Sequence, residues 1–196
     1  MADHVRRLTN AAALSALAFV TLLVIDATGR PRLDRAVAEW MAEHRSMTGI
    51  DIADAVSVSG SVVAIVPLAM LFGFLFWRKQ GWRPVKWLWF ASAGASALYF
   101  AINTIMESAR PPLPLRVYDD VGWSFPSGHS TQAIVFWPML AILTGRRWVL
   151  APAAIVVALI GGSRIYLDVH WTTDVASGFL LGLSWLFTVL VLRART

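Results

Sequence analysis

The sequence predicts an all-α protein: a polytopic membrane bundle of six transmembrane helices with a short surface helix. Composition is the first reason. The chain of 196 residues is 57% hydrophobic and only 15% charged, where a soluble domain is about half apolar and about a quarter charged. The second is aromatic content, with ten Trp and ten Phe, since Trp favours the membrane–water interface. The third is the recurrence of apolar runs near the length that a spanning helix needs, about 20 residues.

Taken in order, those runs are residues 8–25, 60–77, 85–106, 127–144, 148–168 and 172–192. The first is too long, and too weakly followed by a small-residue cleavage site, for a signal peptide, and is read as an uncleaved span. Between the first two runs, Leu33, Val37, Trp40 and Met41 recur at helical spacing, which predicts a short helix. It either lies on the outer membrane surface or packs on the bundle. The fourth run follows the longest polar interruption, Glu107 to Phe125, whose Arg110-Pro111-Pro112-Leu113-Pro114 segment cannot be helical throughout. No linker or repeat divides the chain, so residues 1–196 are expected to form one membrane-embedded domain.

Basic residues set the expected orientation. Arg6, Arg7, Arg78, Lys79, Arg83, Lys86, Arg146, Arg147, Arg193 and Arg195 fall on one side by span parity, ten against seven on the other. The positive-inside tendency makes that side cytoplasmic, with both termini inside. A net charge of +5 then reflects topology, and nucleic acid is not an expected partner, because no basic stripe carries stacking aromatics. The absence of Cys excludes disulfides, a thiol nucleophile and thiolate metal sites.

Three polar clusters abut apolar runs: Arg110-Pro111, then Pro126-Ser127-Gly128-His129, then Ser163-Arg164 continuing through Asp168, His170 and Asp174. Parity puts all three on the outer side. Two arginines offer planar forks suited to phosphate oxygens. Ser127 and Gly128 open a helix, whose free N–H groups favour an anion, though Ser-Gly there is also an ordinary cap. His170 and Asp174 are spaced i, i+4 and would share a face of a continuous helix. The carboxylate would fix the imidazole tautomer and leave the other nitrogen as nucleophile or base. His129 is a second imidazole, available as general acid. Together these parts describe phosphoryl transfer that needs no metal and no cofactor.

These residues resemble the three-part signature of the type 2 phosphatidic acid phosphatase superfamily, which includes bacterial lipid phosphatases. The second and third motifs match in full, including Ser-Arg, five residues, His, three residues, Asp. The resemblance implies His170 as a nucleophile that becomes phosphohistidine, Asp174 as its orienter and His129 as proton donor to the leaving group. It implies Arg110, Arg164, Ser127 and the Gly128 backbone as holders of the phosphate oxygens, with no metal. The family's first motif usually opens with a lysine at the place of Asn103, which donates hydrogen bonds but carries no charge.

The expected activity is therefore hydrolysis of a lipid phosphate or diphosphate at the outer face of the inner (plasma) membrane. Undecaprenyl diphosphate, phosphatidylglycerol phosphate and phosphatidic acid are the candidate substrates. A lipid phosphotransferase of the same fold and a non-catalytic protein that binds or transports lipid phosphate are the alternatives, the latter because of Asn103.

Overall fold

The computed structural model describes residues 2–196, which form eight α-helices and no strands. They are α1 (Ala2–Thr28), α2 (Arg32–His44), α3 (Met47–Val58), α4 (Val62–Gln80), α5 (Trp82–Met106), α6 (Gly128–Leu143), α7 (Leu150–Tyr166) and α8 (Thr172–Ala194). Local chemistry marks their ends. Ser46, Ser61 and Ser127 sit at N-caps and accept hydrogen bonds from Gly49, Ala64 and Ser130 respectively, supplying acceptors for amides the helix leaves unpaired. Gly81 joins α4 to α5 at φ 78, a left-handed conformation that a Cβ disfavours.

Five helices are long and apolar enough to cross a membrane, α7 counted with the 3₁₀ turn that leads into it; α6 is not among them. The expected run 127–144 folds as a helix of only 16 residues, about 24 Å long at 1.5 Å per residue. Its position explains the shortfall. α6 packs on α4, α5, α7 and α8, and ten of its 16 residues are buried. A helix wrapped by others does not have to match the bilayer with its own length. The outermost helix is the opposite case: α1 has 27 residues, of which Phe19 is the one buried among those described.

The central core joins α4, α5, α6 and α8 through Ile65, Leu88, Phe136, Met139 and Val189. Small residues let α8 approach α6 closely. A Cβ on Gly178 would lie 2.5 Å from the Ser127 carbonyl oxygen, and one on Gly182 would lie 2.8 Å from that of Thr131. This seam joins two helices of one chain, the close approach that small residues allow.

The segment between the first two long helices holds two helices where one was expected. α2 packs on the bundle. Asp34 and Ala38 are buried, on the side where α2 meets α7 and α8, while Leu33 and Trp40 are exposed. The unforeseen α3 packs on α7, its entry fixed by a hydrogen bond from the Ser46 amide to the Tyr166 hydroxyl at 3.0 Å.

Candidate active site

The end of α5, the start of α6, the end of α7 and the start of α8 meet at one end of the bundle. The Ser127 amide donates to the Asp174 carbonyl at 2.9 Å, and the Val117 amide donates to the Leu167 carbonyl at 3.0 Å. All three polar clusters of the sequence thereby converge.

His170 lies in the turn before α8, not on it, so the i, i+4 geometry of a continuous helix does not apply. Its Nδ1 is 2.8 Å from the Ser124 carbonyl oxygen and 3.8 Å from Asp174 Oδ2. A carbonyl only accepts, so Nδ1 carries the hydrogen and Nε2 keeps its lone pair. Asp174 acts one step behind: the Ser124 hydroxyl donates to Asp174 Oδ2, and the Trp171 amide donates to the same oxygen at 2.9 Å. Burial pushes the His170 imidazole down to about 4; the pull of Asp174 opposes this, and the positive charges of Arg110 and Arg164 add to it. The imidazole is therefore neutral at neutral pH.

Arg110 faces that lone pair, with Nη1 at 3.2 Å from His170 Nε2. Its guanidinium also donates to the carbonyls of Val169 at 2.5 Å and Gly122 at 3.0 Å. Arg164 is buried and donates to the Ser57 hydroxyl at 2.6 Å and to Asp120 Oδ2 at 2.7 Å. A cavity of about 400 Å³ opens here, walled by Ser57, Ser61, Tyr118, Asp120, His129 and Arg164 among others. Among the described residues, no group of three or more His, Cys, Asp or Glu is placed to hold a metal ion.

Two predicted phosphate ligands have other engagements. Ser127 is fully buried, and its hydroxyl oxygen accepts from the Ser130 hydroxyl at 3.1 Å, as a helix cap. Asn103 is buried too, its amide donating to the carbonyls of Trp123 at 3.0 Å and Phe125 at 2.9 Å. It braces the loop that leads into α6. Gly128 is required by proximity, because a Cβ there would lie 2.8 Å from the Tyr99 ring.

A family model described as the PAP2 superfamily matches residues 84–196, more than half of the chain, a range that takes in Asn103 and all three clusters. The chain belongs to the PAP2 superfamily. It is a phosphatase set in a membrane, as the named relatives of this PAP2 chain are phosphatases too. Phosphatidylglycerophosphatase B of Bacillus subtilis is 31% identical over 160 residues, 76% of this chain and 74% of that one. An undecaprenyl-diphosphatase of Sulfolobus acidocaldarius is 40% identical over 68 residues, 33% of this chain and 30% of its own. The fold matches the crystal structure of a transmembrane PAP2 type phosphatidylglycerolphosphate phosphatase from Bacillus subtilis, with TM-score 0.86 and 24% identity, over 94% of this chain and 96% of that one. Aquifex aeolicus LpxE matches with TM-score 0.68 and 25% identity, over 81% and 94%.

Several residues at this candidate site are not singled out by the sequence. Arg30, between α1 and α2, donates to Asp174 Oδ1 at 3.0 Å, pairs with Asp26 at 2.8 Å and lies over the Trp171 ring. Asp34 accepts from the Thr173 amide at 3.0 Å, placing a carboxylate at the positive end of α8. The i, i+4 spacing of Asp26, Arg30 and Asp34 was visible, but nothing in it named Asp174 as the third partner. Ser124 and Asp120 sat unmarked in the polar loop.

Proposed function

We propose that this protein hydrolyses a lipid phosphate or diphosphate at the outer face of the plasma membrane through a phosphohistidine on His170. The observation that carries the reading is the pairing of His170 Nε2, free as a lone pair, with the Arg110 guanidinium 3.2 Å away. A phosphoryl group drawn in by Arg110 and Arg164 meets a nucleophile already in the reactive tautomer. Nε2 attacks phosphorus, the bond from phosphorus to the lipid oxygen breaks, and His129 gives that oxygen its proton. A dianion bound beside His129 favours the charged imidazole that this step requires. Water then attacks phosphorus, His129 accepts its proton, and phosphate leaves His170 as it was.

In this reading Arg110, Arg164 and the Gly128 backbone hold the phosphoryl oxygens. Ser127 and Asn103 shape the site from behind. Asp174, with Ser124, orients His170, and neither metal nor cofactor takes part. The whole chain works as one domain, α6 serves as the sixth span, and both termini face the cytoplasm. The named relatives favour phosphatidylglycerol phosphate or undecaprenyl diphosphate as substrate. Such a lipid keeps its tail in the bilayer while its head reaches the cavity.

The test is phosphate release from solubilised phosphatidic acid, phosphatidylglycerol phosphate and undecaprenyl diphosphate in EDTA, comparing the parent chain with His170→Ala. Release by the parent that vanishes in the variant supports the reading. Equal release by both would overturn it, and tight binding without release would favour a lipid-phosphate carrier. Adding a lipid alcohol as acceptor separates hydrolysis from phosphotransfer.

A further inference from the structure

The polar loop places a carboxylate between two guanidiniums, that of Arg164 in the cavity wall and that of Arg110 behind it. Asp120 Oδ2 accepts from Arg164 Nη2 at 2.7 Å and lies 3.4 Å from Arg110 Nη1. Its other oxygen accepts from the neighbouring Val121 amide at 3.0 Å. An anionic oxygen bridging two guanidinium forks is what a bound phosphoryl oxygen would also be. Burial alone would push the Asp120 carboxyl up, but Arg110 and Arg164 together hold it below its ordinary value, so it is charged at neutral pH.

Asp120 also governs access. It lines the open cavity together with His129 and Arg164, whereas the side chains of Arg110 and His170 are only 6% and 3% exposed. Arg164 is likewise only 3% exposed and Asp120 29%, so a phosphoryl group entering that cavity meets Asp120 before either guanidinium. Both arginines have further partners besides this carboxylate. Arg110 keeps the carbonyls of Gly122, Val121 and Val169, and Arg164 keeps the hydroxyls of Ser57 and Tyr118.

We propose that Asp120 is a resident counter-ion on the phosphate seat, displaced by the incoming phosphoryl group, and that it sets the affinity of the site. It lowers the pull of the arginine pair on weakly charged anions and leaves the seat to ligands with enough negative charge to compete. The proposal rests on the cavity being a phosphate site, as argued above. It makes Asp120 a specificity-determining residue that opposes binding, in contrast to the residues that promote it.

Titration of the detergent-solubilised full chain with inorganic phosphate tests this, using Asp120→Asn and, as a charge control, Asp119→Asn. Asp119 is 76% exposed and pairs with Arg116 away from the cavity. Asp120→Asn is expected to bind phosphate about tenfold more tightly or better, the scale of one charge-assisted hydrogen bond. Asp119→Asn should stay within about twofold of the parent. Should Asp120→Asn fail to fold, Asp120→Ser removes the same charge with less bulk and carries the same expectation. If the parent binds phosphate and the Asp120 variants bind it equally or more weakly, the counter-ion role is wrong while the phosphate site stands. Equal tightening by Asp119→Asn would also overturn it, by showing a general charge effect. If neither parent nor any variant binds phosphate, the phosphate-site reading falls and takes this proposal with it.

Discussion

Replacing Arg30 by Gln removes the cation on which three carboxylates converge, Asp26 and Asp174 closely and Asp34 at 3.9 Å. Its guanidinium is 20% exposed, while the Asp26 and Asp174 side chains it meets are 3% and 0% exposed. Taking one partner from a buried ion pair costs roughly 3–5 kcal/mol, because the remaining charge has no compensation. Asp174 retains the Ser124 hydroxyl and the Trp171 amide, which puts the expected loss at the lower part of that range, about 3 kcal/mol. For a chain of this size each kcal/mol moves Tm by roughly 2–4 °C, so Arg30→Gln should melt about 6–12 °C below the parent. The assay is thermal unfolding in one detergent, followed by tryptophan fluorescence at low and high salt. Arg30→Lys should recover part of the loss, since an ammonium can reach one carboxylate but lacks the fork that serves several. A Gln variant melting within about 2 °C of the parent would mean that Asp174 needs no cation, and the account of this corner would be wrong.

The pH profile offers a second check: with the His170 imidazole at about 4, the acid limb of kcat/KM should fall near pH 4, below the ordinary histidine range of about 6.5. Activity is present above that point and lost as the nucleophile is protonated below it; a limb at about 6.5 would show that the ring is not desolvated. Asn103→Ala should destabilise the chain by roughly 1–3 kcal/mol by leaving buried carbonyls unpaired, read as a lowered midpoint in thermal unfolding, whereas Asn103→Lys, still able to donate to them, should lose less. Gly178→Leu should abolish monodisperse folded protein in size-exclusion chromatography, because its Cβ meets the backbone of Ser127 at 2.5 Å, and a well-folded variant would contradict the tight seam.

The helical class and the convergence of clusters were legible because both rest on periodicity and parity, which survive without coordinates. Arg110, His129, Arg164 and His170 could be assembled from the ends of apolar runs alone. The path from Asp174 to His170 could not, because the i, i+4 rule presumes one continuous helix and α8 begins only at Thr172. The relay through Ser124 depends on how the preceding loop folds, and loops carry no period. Arg30 was hidden for a related reason: its partner Asp174 is 144 positions away. The bounds of α6 were legible to within one residue at each end, but not its burial, because hydropathy counts apolar residues without telling lipid from protein as their neighbour.

The seam between α6 and α8 has a mechanical consequence. His129 belongs to one of these helices, and His170 precedes the other by two positions. Where glycine lets two backbones touch, little compressible side-chain matter remains between them. When a bilayer thins or thickens, helices adapt by tilting, and two helices joined this closely tilt as one body. The two imidazoles would then keep their separation while the surrounding lipid changes, so the chemistry is insulated from the elastic state of the membrane that supplies its substrate.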